Sequence, residues 1–110
     1  MSLAAIMRIE RFEVDCANDG FAGIEKAKSM QPHAVVLDIG MPRMTGFELA
    51  KRLRQLPGGN KLFIVAISGR YVTAADRVVA LEAGIDRHFV KPADPLKLMS
   101  LLRQTLSAPS

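Results

Sequence analysis

Cysteine is all but missing from this 110-residue chain: Cys16 is the only one, so no internal disulfide can form. Histidine is limited to His33 and His88, and no Cys/His cluster has zinc spacing, so no structural metal is expected and a reducing compartment, the cytoplasm, fits. Tryptophan is absent and aromatics make up 5% of the residues, too few to interleave with basic side chains along a nucleic-acid surface. Fifteen Lys and Arg against eleven Asp and Glu leave a net charge of +4, but the basic residues are scattered. That charge reads as a solvated exterior, with no nucleic-acid partner. No apolar run approaches the roughly 20 residues of a membrane span. The opening Met1 to Met7 run breaks at Arg8 without a cleavage-like site, so neither membrane insertion nor a leader is expected.

What is present is enough apolar material for one core. At 49% hydrophobic and 24% charged, residues 1–110 read as one globular domain, without repeats, linkers or low-complexity tracts. The chain is organised around residues 33–47. Ala34, Val35, Val36 and Leu37 run without interruption into Asp38, which predicts a strand buried on both faces with a carboxylate at its carboxyl end. Pro42 stops the strand, and Thr45 with Glu48 offers a capping box for a helix.

Around that stretch the elements alternate. Leu3, Ile6 and Met7 at helical spacing suggest a helix fragment, and residues 12–17 alternate with period two, which predicts a strand with Phe12, Val14 and Cys16 on a core-facing side. Phe21, Ile24, Ala27 and Met30 mark a helix ended by Pro32. The helix capped by Thr45 turns Phe47, Ala50 and Leu53 inward, leaves Lys51, Arg52 and Arg54 to water, and breaks at residues 57–60. A second apolar run, 62–67, ends in Ser68. Thr73 opens a short helix that Gly84 closes, His88 to Val90 form a brief strand ending in Lys91 and Pro92, and Asp94 with Pro95 launches the last helix.

Strands that are uniformly apolar and alternate with helices imply a parallel sheet covered on both faces. Ser68 lies 30 residues after Asp38 and Lys91 23 after Ser68, one strand-plus-helix unit each, so all three reach the carboxyl edge of the sheet side by side. Carboxylate, hydroxyl and ammonium in one cleft suit phosphoryl chemistry: the carboxylate as nucleophile, the other two as partners of the transferred oxygens. An aspartate-nucleophile phosphatase of the haloacid-dehalogenase kind would need a second acid two residues on, where this chain has Gly40.

These residues resemble the receiver domain of bacterial response regulators. The likeness rests on Asp38-Ile39-Gly40-Met41-Pro42 with Gly46, on Ala66-Ile67-Ser68-Gly69, on Ala83-Gly84-Ile85-Asp86 and on Lys91-Pro92. It implies an α/β, flavodoxin-like doubly wound parallel sheet in a single receiver-like domain over 1–110, with no output domain after Ser110. It also implies that the chain is not an enzyme but a phosphorelay component, taking a phosphoryl group from a histidine kinase or phosphotransfer protein on Asp38. By the same resemblance Ser68 and Lys91 bind the phosphoryl group, Ser68 and His88 are switch positions, Asp38 and the Gly40 backbone carbonyl are magnesium ligands, and the Lys91–Pro92 bond is cis.

The departure is at the start. Such domains begin with a buried strand and a pair of acidic residues that hold magnesium, and nothing before Leu3 corresponds to them. Residues 1–11 read as a remnant of the first helix, so that four strands remain. Glu10, Glu13 and Asp15 lie away from the carboxyl edge, so magnesium is left with a weak site, and Lys91 becomes the expected counter-charge of Asp38 in the unmodified chain. A degenerate receiver, binding partners without phosphorylation, is the alternative reading. The absent strand would lie between 12–17 and 34–38, a gap that direct closure or a homodimer exchanging the N-terminal helix and strand would fill.

Overall fold

The computed structural model describes residues 2–41, 43–69 and 73–107, apart from the side chain of Ser107. In chain order they form α1 (Leu3–Ile9), α2 (Gly20–Met30), β1 (Ala34–Asp38), α3 (Gly46–Arg54), a 3-10 turn (Gly59–Lys61), β2 (Phe63–Ser68), α4 (Ala74–Ala83), β3 (Arg87–Val90) and α5 (Pro95–Ser107). The strands make one parallel sheet in the order β1-β2-β3, with Asp38 beside Ile67 and Ser68 beside Val90.

The helix starts follow from side-chain oxygens that accept the otherwise unpaired amides of the first turn. Ser2 caps α1, Asp19 caps α2, Thr45 caps α3 and Thr73 caps α4, the last as a full capping box with Asp76. At α3 the box expected from Thr45 and Glu48 is only half made. Thr45 Oγ1 accepts from the Glu48 amide at 3.2 Å, while the Glu48 carboxylate turns to Arg52 one turn on, at 3.0 Å. Gly84 closes α4 at φ 91°, in the left-handed region that favours glycine.

Period-two alternation along β2 divides the core between the two faces of the sheet. Ile64 and Ala66 pack with Leu49, Ala50 and Leu53 of α3 and with Ala80 and Ala83 of α4. Val65 packs on the other face with Leu98 and Leu102 of α5, against which Leu3, Met7 and Phe12 also rest. The doubly wound parallel fold is therefore present.

The strand count differs from expectation. Residues 12–17 belong to no ladder, so the described residues hold three strands rather than four. Local bonds take several of their polar groups instead. Arg8 donates to the Val14 carbonyl, the Cys16 amide donates to Asp15 Oδ1, and Lys26 donates to both Asp15 Oδ1 and the Cys16 carbonyl. With no neighbouring strand, Cys16 is exposed rather than in the core. The gap has not closed by 12–17 moving against β1, and a cleft of about 590 Å³ lies between them.

Candidate functional site

The site forms where the parallel ladder overruns its strands by one residue. The Ile39 amide donates to the Ile67 carbonyl at 3.0 Å, and the Lys91 amide to the Ser68 carbonyl at 2.7 Å. Asp38 and Lys91 are thereby held at the same end of the sheet, although 53 residues separate them in the chain, and the Lys91–Pro92 peptide bond is cis. Gly46, the first residue of α3, makes the other wall possible. A Cβ there would sit 2.7 Å from Ile39 Cα and 2.9 Å from the Asp38 carbonyl oxygen, so only glycine allows the helix to start this close to the strand end.

Within this frame Lys91 Nζ donates to Asp38 Oδ2 at 2.5 Å, the counter-charge contact expected from the sequence. The Gly40 amide donates to Asp38 Oδ1 at 2.9 Å. The bond from Lys91 is the main cause that holds the Asp38 carboxyl below the ordinary carboxylate value; the Gly40 amide adds to it, and partial burial works against both. The Asp38 side chain remains 39% exposed, so an incoming group can reach it. Ser68 is buried at the end of β2, the strand between those that carry Asp38 and Lys91.

His88 stands apart from this group. It lies opposite Ala66 in β3 and faces α4, whose Asp76 and Arg77 are the charges it feels; burial is the main cause that lowers its pKa. Both ring nitrogens are buried without a hydrogen-bond partner among the described residues.

Magnesium prefers six oxygens in octahedral array, usually including one or two carboxylates. Among the described residues no three His, Cys, Asp or Glu side chains come together to hold a metal. Asp38 is the carboxylate at the end of β1, and both of its oxygens already accept hydrogen bonds. With the Gly40 carbonyl as the remaining candidate ligand, the donor set does not fit the ion.

A profile of the family described as response regulator receiver domain matches residues 1–103. The chain belongs to that family. This receiver is 35% identical over 97 residues to response regulator ArlR of Staphylococcus epidermidis, covering 88% of the chain and 42% of that relative. The chain spans about half the length, 42 to 55%, of such curated relatives. A CheY-like receiver domain protein of Methanospirillum hungatei superposes with a TM-score of 0.85 at 27% identity, covering 96% of this receiver and 82% of that chain. The receiver domain of a sensor histidine kinase of Pseudomonas aeruginosa shares the fold at a TM-score of 0.82 and 22% identity, over 94% of this chain and 84% of its own, and that structure holds magnesium in its active-site cleft. The family places this receiver in two-component signalling, among signalling domains rather than classical enzymes.

Arg54 is the structural residue that the sequence reading assigned to solvent. Its guanidinium donates to the carbonyls of Gly84, Gly59 and Leu62 and to Asp86 Oδ2, with distances from 2.6 to 3.0 Å. Asp86 Oδ2 in turn accepts from the Ile64 amide at 2.8 Å. This pair ties the end of α3 to the start of β2 and to the turn before β3, at the edge of the sheet remote from Asp38. The signal was in the spacing: Arg54 follows Ala50 by four residues and so falls on the margin of the buried stripe of α3.

Proposed function

We propose that this receiver accepts a phosphoryl group on Asp38 from a histidine kinase or phosphotransfer protein and passes the signal on by a change of surface. The observation that carries the reading is the pair of Asp38 and Lys91, 2.5 Å apart at the open end of a parallel sheet with the carboxylate still accessible. A carboxylate oxygen would attack phosphorus while the P–N bond to the donor imidazole breaks, the electron pair leaving with the ring nitrogen. Lys91 already holds a cation where the transferred oxygens would arrive, and the Ser68 hydroxyl, on the intervening strand, would donate a hydrogen bond to one of them. Ser68 and His88 are the proposed switch positions, and the cytoplasm is the proposed location.

Incubation with acetyl phosphate or phosphoramidate and magnesium, followed by intact-mass measurement, tests this. The expected result is a single, low-occupancy gain of one phosphoryl group that Asp38→Asn abolishes. A label retained in that variant refutes the assignment. The poor donor set for magnesium among the described residues favours a second reading, a degenerate receiver that binds protein partners without phosphorylation. No mass gain under any donor, with partner binding unaffected by Asp38→Asn, selects it.

A further inference from the structure

His88 sits between β3 and α4 with Nδ1 and Nε2 both buried, and neither has a hydrogen-bond partner among the described residues. A neutral imidazole carries one N–H donor and one acceptor, and both go unmade here. The imidazolium would bury two N–H donors and a full charge in the same place, which is far less favourable.

Little in the surroundings answers that charge. By alternation His88 shares a face of the sheet with Ala66 of β2, where α3 contributes Leu49, Ala50 and Leu53, all apolar. Its neighbours Arg87 and Phe89 turn to the other face, on which Phe89 packs with Leu98 and Leu102. α4 presents Asp76 and Arg77, whose opposite charges pull the ring's protonation in opposite directions. Burial is the main cause that holds the His88 pKa below the ordinary histidine value. The Asp76 carboxylate is also engaged in the capping box, where it accepts from the Thr73 amide at 3.0 Å.

The helix that covers the ring is lightly held. Asp76, Ala80 and Ala83 fall on its sheet-facing side, and the two alanines are its buried side chains. Alanine removes little apolar surface from water. The larger side chains point outward, Val78 at 55% and Leu81 at 75% exposure.

We propose that α4 is a proton-sensitive cover: proton uptake by His88 unseats the helix from the sheet, because the imidazolium needs water that the docked helix excludes. Docking is strongest above the ordinary histidine value and weakens as pH falls from there to the lower value of the docked state. The surface of this receiver thereby responds to acidity, and the inference does not depend on phosphorylation of Asp38.

An NMR titration of the full chain, from about pH 7.5 to about 5, follows the His88 ring and the amide exchange of residues 78–84, each protection factor being referred to the intrinsic rate at the same pH. The ring midpoint is expected below the ordinary histidine value. Protection of α4 should fall on acidification by about tenfold for each unit by which that midpoint is lowered, and should stay below that of β2 at every pH. His88→Phe should make α4 protection independent of pH over this range, whereas His33→Gln, at the exposed histidine, should leave the dependence in place. A pH dependence that survives in His88→Phe would overturn the inference. So would a wild-type ring that titrates at or above the ordinary value while α4 becomes better protected, because Asp76 would then hold the imidazolium in an ion pair; this outcome is readable without any variant.

Discussion

Asp38 and Lys91 illustrate how one ion pair links chemistry to pH. The ammonium lowers the folded-state pKa of Asp38, so the pair contributes stability above the unfolded carboxylate value and loses it as pH falls through the lower folded value. Both side chains are more than a third exposed, so the contribution stays below about 1 kcal/mol. Lys91→Met should raise the Asp38 midpoint, read as the carboxyl carbon shift in an NMR titration; an unchanged midpoint would show that Gly40 alone sets it. Arg54 is the opposite case, a guanidinium with several backbone partners and a side chain only 21% exposed. Arg54→Met leaves the carbonyls of Gly59, Leu62 and Gly84 and the Asp86 carboxylate without it. The expected loss is about 3 kcal/mol in urea unfolding, without effect on Asp38 phosphorylation.

At the scale of elements, junctions matter more than lengths. The start of α3 presses on the end of β1 at Gly46, and Gly46→Ala must displace backbone rather than a flexible side chain. A loss of about 2 kcal/mol is expected, together with shifted amide resonances at Asp38 and Gly40, because the carbonyl of Asp38 lies against the added carbon. The capping box at α4 is a more local device: Thr73→Ala removes the acceptor for the Asp76 amide and should cost about 1 kcal/mol. A cost near zero would mean that α4 is held by its packing on α3 alone.

For the molecule as a whole, the sheet is complete on one side of β2 and open beside β1. Amide exchange of the isolated chain should therefore rank β2 slowest and leave residues 13–17 close to unprotected, since their amides enter no ladder. Protection of 13–17 equal to that of β2 would show that the gap closes in solution. The open edge also accounts for the misplaced expectation about Cys16. Its alternation with Phe12 and Val14 is a strand pattern, but a strand needs a neighbour to bury a face, and Phe12 alone reaches the core.

The carboxyl-edge placement of Asp38, Ser68 and Lys91 was legible from the chain alone, because uninterrupted apolar runs, turn residues and spacing by strand-plus-helix units leave few parallel arrangements. Helix caps at Thr45 and Thr73 and the left-handed stop at Gly84 were legible for the same local reason: each depends on residues within four positions. What tertiary structure decided were the outcomes that depend on a distant partner. Arg54 leaves solvent because the turn at Gly84 and Asp86 offers acceptors 30 or more residues away. The 12–17 segment fails to become a strand because no edge lies within hydrogen-bonding reach, and a period-two pattern specifies which side chains could be buried, not whether anything is there to bury them.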